Sequence, residues 1–230
     1  MAIPHAVIKH NLAEIRNRIH DAALRVGRDP SEVLLVAVTK TVGLEEIQSL
    51  HDLGVRHFGE NRLQPARNKI EQFAGDATWH MVGNVQRRKC PEIVRLFHRI
   101  DAVDRLAVAE AFERRCEESA REHPLPVLAE VNVSGEPSKH GFAPEALAGA
   151  IDKIRDMKHL QLEGLLTMAP LVEDPEATRP FFARLRNLAE ELGLGILSMG
   201  MSNDFEIAIE EGATQVRIGS ALFKHQPDKD

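Results

Sequence analysis

The sequence predicts an α/β chain of the (β/α)8 TIM-type barrel class with an extra N-terminal helix, and three observations carry that prediction. Eight short apolar stretches alternate with helix-period patterns along the 230-residue chain. No Pro-, Gly- or Ser-rich linker divides them, so one domain over residues 1–230 is expected. The clearest strand, Leu34-Leu35-Val36-Ala37-Val38, is an unbroken apolar run of the kind that a parallel sheet covers on both faces. An open doubly wound sheet is the alternative, but the GxGxxG fingerprint that would follow its first strand is absent.

Taken in order, Ile8, Leu12, Ile15, Ile19 and Ala23 recur at helical spacing over His5 to Val26, with Gly27 where a C-cap is expected. Strand one, Leu34 to Thr41, ends in Lys40. Leu44, Ile47, Leu50 and Leu53 mark a helix stopped by Gly54. Val55 to Asn61 is strand two, with Glu60 and Asn61 at its end, and a helix through Ile70 and Phe73 leads to strand three, Thr78 to Gly83. A helix within Val85 to Phe97 precedes strand four, Arg99 to Val103, after which Asp104 is the expected N-cap of the helix carrying Leu106, Ala109, Phe112 and Cys116. Pro126 to Val133 is strand five, followed by a polar loop, Ser134 to Gly141. A helix from Pro144 to Met157 leads to strand six, Leu160 to Met168, and one from Asp174 to Leu192 leads to strand seven, Gly195 to Met199. Asn203 to Glu211 is a short helix, and Thr214 to Ile218 is strand eight.

Composition narrows the function class. A net charge of −6 argues against a general nucleic-acid binder. The dense basic run Arg87-Arg88-Lys89 reads either as a solvated helix face or as an anion contact. Two cysteines, Cys90 and Cys116, without CxxC spacing indicate neither a disulfide framework nor a zinc knuckle, which fits a reducing cytoplasm. No signal-like N-terminus and no bilayer-length apolar run is present, so a soluble cytoplasmic protein without membrane partners is expected. Eleven histidines include no HExxH pair, and His5, His10 and His20 share one charged amphipathic segment, so no metal is expected.

Lys40 is the residue on which function turns. An amine at the C-terminal end of a buried parallel strand sits where barrels gather their active-site groups. Burial would lower a pKa that starts at about 10.4 and leave a nucleophile able to form a Schiff base with a carbonyl. A strand-end lysine that simply reaches water is the plainer reading. Two glycine-bearing turns, Ser198 to Asn203 and Arg217 to Ala221, follow the last two strands. Turns in that place form the recurrent phosphate cradle of barrels, with Ser202, Gly219 and Ser220 as donors; alternatively, Gly200 and Gly219 only turn tight corners. An amine facing a phosphate cradle across one mouth suits pyridoxal 5′-phosphate (PLP) held as an internal aldimine, or a phosphorylated sugar in a Schiff-base aldolase.

The segments Val36-Ala37-Val38-Thr39-Lys40, Phe58-Gly59-Glu60-Asn61, Trp79-His80-Met81-Val82-Gly83, Glu163 to Met168, Leu197-Ser198-Met199-Gly200-Met201-Ser202 and Val216-Arg217-Ile218-Gly219-Ser220 resemble, in order and spacing, the PLP homeostasis protein family (YggS/PROSC type). The resemblance spans nearly the whole chain. It implies a fold similar to the N-terminal barrel domain of alanine racemase, PLP on Lys40, phosphate on Ser202, Gly219 and Ser220, and pocket walls from Asn61, His80, Met168 and Met199. It also places Arg217 near the cofactor, either at the pyridine nitrogen or at the phosphate. The stretch after Gly83 departs from the family pattern Leu-Gln-x-Asn-Lys: Arg88 stands where the asparagine is expected.

The implied role is to carry, buffer or regulate intracellular PLP in vitamin B6 homeostasis, with PLP-dependent apoenzymes as recipients and no catalytic residue assigned. Whether the chain is also an enzyme is left open: a small racemase-like PLP enzyme is the alternative, followed by the aldolase. The resemblance to alanine racemase implies an acid–base tyrosine from a second domain, yet this chain contains no tyrosine, and it ends at Asp230, about where the barrel is expected to close. On the same ground a monomer is favoured over a dimer.

Overall fold

The structure, a computed structural model, describes residues 2–224. Met1 and residues 225–230, which the one-domain expectation includes, lie outside the described residues. The strands are β1 (Leu34–Val38), β2 (His57–Glu60), β3 (Thr78–Met81), β4 (Arg99–Val103), β5 (Leu125–Glu130), β6 (Leu160–Leu166), β7 (Ile196–Ser198) and β8 (Gln215–Ile218). They pair in chain order, all parallel, and β1 also pairs with β8 through Leu34–Gln215 and Ala37–Ile218, which closes the barrel. The expected (β/α)8 fold is therefore the observed one, and the open sheet is excluded.

Helix α1 (His5–Arg25) buries its Ile8, Leu12, Ile15 and Ile19 stripe and turns off at Gly27, whose φ is +70°. Asn11 on that stripe donates to the carbonyls of Leu222 and Lys224, at 3.0 Å each, tying the helix to the end of the barrel. The outer ring comprises α2 (Leu44–Asp52), α3 (Leu63–Gln72), α4 (Cys90–Leu96), α5 (Leu106–Glu118), α6 (Pro144–Arg155), α7 (Arg179–Glu191) and α8 (Phe205–Glu210). Alternation along the strands divides the core in two. Outward residues such as Phe58 and Trp79 pack under the helices, where Phe73 meets Trp79 edge-on at 5.9 Å. The inward layer is partly polar and carries His80, Asp101, Ser198, Gln215 and Arg217.

Several elements end earlier than their apolar patterns. Strand one stops at Val38, strand five at Glu130, strand six at Leu166 and strand seven at Ser198. Each pattern continues for one to three residues into a loop at the barrel mouth, where Thr39, Val131, Val133, Thr167 and Met199 remain buried while Lys40 and Thr41 are exposed. Asp104 is not the N-cap of α5; that position belongs to Arg105, which has no side-chain cap. Asp104 is instead buried and accepts from the Arg105 guanidinium at 2.6 and 2.7 Å. Among the described residues, no helix is long and apolar enough to cross a membrane.

Candidate functional site

The C-terminal ends of the strands open into a cavity of about 310 Å³. Seven of the nine residues expected at the site line it: Lys40, Asn61, Met168, Ser202, Arg217, Gly219 and Ser220. Val38, Val82 and the loop Ala169 to Val172 complete its apolar wall. The sequence reading missed that loop, although its apolar run directly after Met168 was a visible signal.

Lys40 stands two residues beyond β1 and is exposed. The burial invoked to activate it is thus absent; its place is set by its neighbours. Val38 and Lys40 face the cavity while Thr39 turns outward, donating its hydroxyl to Glu60 Oε1 at 2.7 Å. Lys69 on α3 reaches the same carboxylate oxygen at 2.8 Å and the Thr39 carbonyl at 2.7 Å. This largely buried ion pair clamps the peptide that carries Lys40 from behind. Glu60 was noticed at the end of its strand, but Lys69 was missed, since nothing in helical periodicity shows that a lysine nine residues later folds back.

Next to the Lys40 segment, since β8 pairs with β1, the loops after β7 and β8 are tied together by Ser202 Oγ, which accepts from the Ala221 N–H at 3.2 Å. Gly200 has a φ of +89°, and a Cβ there would lie 2.6 Å from Ala208 Cβ and 2.8 Å from Phe205 Cα, so this glycine turns a crowded corner. Asp204 accepts from the Met201 N–H at 2.6 Å; burial raises its carboxyl above the usual value, against the Met201 N–H and the Arg217 charge.

Arg217 is buried at the cavity floor, donating to Ser198 Oγ at 2.8 Å and to the Thr167 carbonyl at 2.9 Å. Desolvation lowers its pKa, and the Asp101, Glu130 and Asp204 carboxylates oppose that. His80 and Met199, expected as pocket walls, are not at the cavity. His80 sits one layer down, fully buried, between Asp101 Oδ2 at 2.8 Å and His57 at 3.0 Å. Met199 follows inward-facing Ser198 and so turns outward into the apolar layer under the helices. Gln215 bridges Asp101 and Ser198, at 2.7 and 2.8 Å, so one chain of hydrogen bonds runs from His57 to Arg217.

Electrostatics in this chain are set by burial and pairing. Burial alone would raise Asp101, but the charge and hydrogen bond of His80, with Arg99 and Gln215, hold it at about 2. Burial and the neighbouring His80 and Arg99 charges lower His57 to about 4. Glu130, at the end of β5, is pushed up to about 7 by burial and by Asp104, against Arg217, His140 and the Asn84 amide.

The wall thus offers an amine, three hydroxyls and a guanidinium around apolar side chains, with the Asp204 carboxyl beside them, a set that suits a small molecule bearing a carbonyl and an anionic group. Residues 4–227 match the family model described as alanine racemase, N-terminal domain. The chain is 42% identical over 221 residues to the pyridoxal phosphate homeostasis protein of Pseudomonas aeruginosa, with 95% of each chain covered. The chain belongs to the pyridoxal phosphate homeostasis protein family. The Aquifex aeolicus member of that family is 38% identical over 219 residues, covering 92% of this chain and 95% of its own. Among solved structures, PipY of Synechococcus elongatus with PLP bound superposes with a TM-score of 0.81 at 33% identity, covering 94% of this chain and all of that one. Alanine racemase of Clostridium difficile, at 15% identity and a TM-score of 0.76, shares the fold; it covers this whole chain with 59% of its own.

Proposed function

We propose that this chain binds PLP in the mouth cavity, holds it covalently through Lys40, and serves to carry, buffer or regulate it. The observation that carries the reading is that Lys40, Ser202 and Ser220 line one cavity, in a family whose PipY member is solved with PLP bound. The donor set fits the cofactor: an amine for the aldehyde, Ser202, Ser220 and Gly219 for the phosphate, and Asn61, Val38, Val82 and Met168 around the ring. When bound, PLP supplies an aldehyde that condenses with amines and a ring able to absorb electrons. Arg217 is held by Ser198 and Thr167 and cannot accept a proton, so a pyridine nitrogen set against it stays unprotonated and the ring is a weaker electron sink.

Carriage is favoured over catalysis because the chain has no tyrosine to serve as the second acid–base group of a racemase. Delivery by a monomer to PLP-dependent apoenzymes in the reducing cytoplasm belongs to the same proposal. Both cysteines are free and buried, with thiols raised to about 11 by burial.

Borohydride reduction of the PLP-treated protein followed by peptide mapping tests the attachment. The pyridoxyl group is expected on Lys40, and Lys40→Ala is expected to lose the visible band while keeping its fold. Recovery mainly on Lys139 or Lys224 overturns the assignment. Turnover with a panel of amino acids at ordinary enzyme rates overturns the carrier role.

A further inference from the structure

A second cavity, of about 340 Å³, lies beside the first, between the β2–α3 and β3–α4 connections. Asn61 is the one residue that lines both. Its walls are apolar at Leu63, Met81, Val85 and Ile93, and Arg62 and Lys89 bring positive charge to it. No aspartate or glutamate is among its lining residues.

The basic groups around it are unneutralised. Among the described residues, Arg62, Arg87, Arg88 and Lys89 meet no carboxylate; Arg88 and Lys89 donate only to the amide oxygens of Gln86 and Gln64, at 3.1 Å each. Other cations of this acidic chain hold carboxylates, Arg179 with Glu176, Glu210 and Glu211, and Arg25, Arg105 and Arg186 with one or more each; Arg16, Arg121 and Arg155, which do not, stand singly and donate to backbone carbonyls. Uncompensated cations grouped at a cavity concentrate anions there. A guanidinium fork and a lysine point charge suit a phosphate, and the apolar walls suit a small ring attached to it.

We propose that this cavity is a second, noncovalent subsite for the phosphate monoester of a small aromatic alcohol or aldehyde. The adjoining Asn61 makes it a waiting position beside Lys40 for a B6-type phosphate arriving or leaving. That role rests on the reading of Lys40 above; the binding itself does not.

The test uses protein loaded with PLP and reduced with borohydride, with peptide mapping first establishing that Lys40 is blocked. A failure of the Lys40 reading therefore shows before the second site is probed. The probe is pyridoxine 5′-phosphate, whose alcohol cannot condense with a lysine, titrated by calorimetry. One further equivalent is expected, weakened about tenfold or more by Arg62→Gln with Lys89→Gln, through the loss of charge-assisted bonds. It should be retained in the charge-preserving Arg62→Lys with Lys89→Arg, and unaffected by Arg25→Gln on α1, where that arginine pairs with Glu210. Absence of the extra equivalent, or an equivalent indifferent to removing both charges, overturns the proposal. Equal affinity for inorganic phosphate overturns the assignment of a ring-bearing ligand.

Discussion

Lys40 owes its place to residues that never touch the cavity. Thr39 turns away from the mouth into a contact with Glu60 and Lys69, and that contact fixes the peptide from which Lys40 projects. Lys69→Met is expected to cost roughly 3–5 kcal/mol, because it leaves the Glu60 carboxylate buried without its counter-charge. Adding Glu60→Gln should recover much of that, and the single variant should also take up PLP onto Lys40 more slowly; urea denaturation and the growth of the visible band measure the two. A single variant as stable and as quick as the parent would mean that the clamp is idle. In the loops after the last two strands, Ser202→Ala and Ser220→Ala should each weaken PLP far more than pyridoxal, by roughly one to two decades for a lost charge-assisted bond of about 1.5–3 kcal/mol. Equal losses for both ligands would place the phosphate elsewhere.

At the scale of elements, the glycine with the least room for a side chain lies where β6 meets β7. A Cβ on Gly164 would lie 2.0 Å from the Ile196 carbonyl oxygen, and since both partners belong to the backbone neither can swing aside. Gly164→Ala should therefore destabilise by roughly 1–3 kcal/mol, with a melting temperature lower by about 2–4 °C per kcal/mol. An unchanged melting curve would show that the two strands separate at little cost. β7 ends at Ser198, and Gly200, with a φ of +89°, already belongs to the corner that leads to Ser202.

Across the whole molecule, the barrel interior carries charge where a simple apolar filling was available. Glu130 makes this measurable. Its carboxyl titrates at about 7 in the fold against an ordinary 4.5, so the folded state holds its proton over a range where the unfolded chain has released it. The contribution is present in full below about pH 4.5 and is lost as the pH rises through about 7, a difference of roughly 3 kcal/mol. Glu130→Gln should thus be more stable than the parent at pH 8 and about equal to it at pH 4.5, in denaturant titrations at the two pH values. A difference independent of pH would locate the effect in packing and not in the proton.

Period and residue type along the chain determined the barrel class, the order of its eight strands and the lysine and serine loops at one mouth, because apolar alternation and helix spacing are local properties and parallel strands place their C-terminal ends together. Six quoted segments were enough to show the family resemblance that the comparisons bear out. Three things were decided only by tertiary structure. Strand parity around a closed barrel sends His80 one layer below the cavity and Met199 outside it, and parity cannot be read without the register of neighbouring strands. Long-range pairing set the surroundings of Lys40, since Glu60 and Lys69 meet Thr39 across separations that no sequence window spans. The second cavity depends on two connections folding side by side, and the basic run Arg87-Arg88-Lys89 acquires a meaning beyond a solvated face only when Arg62 and the apolar walls stand opposite it.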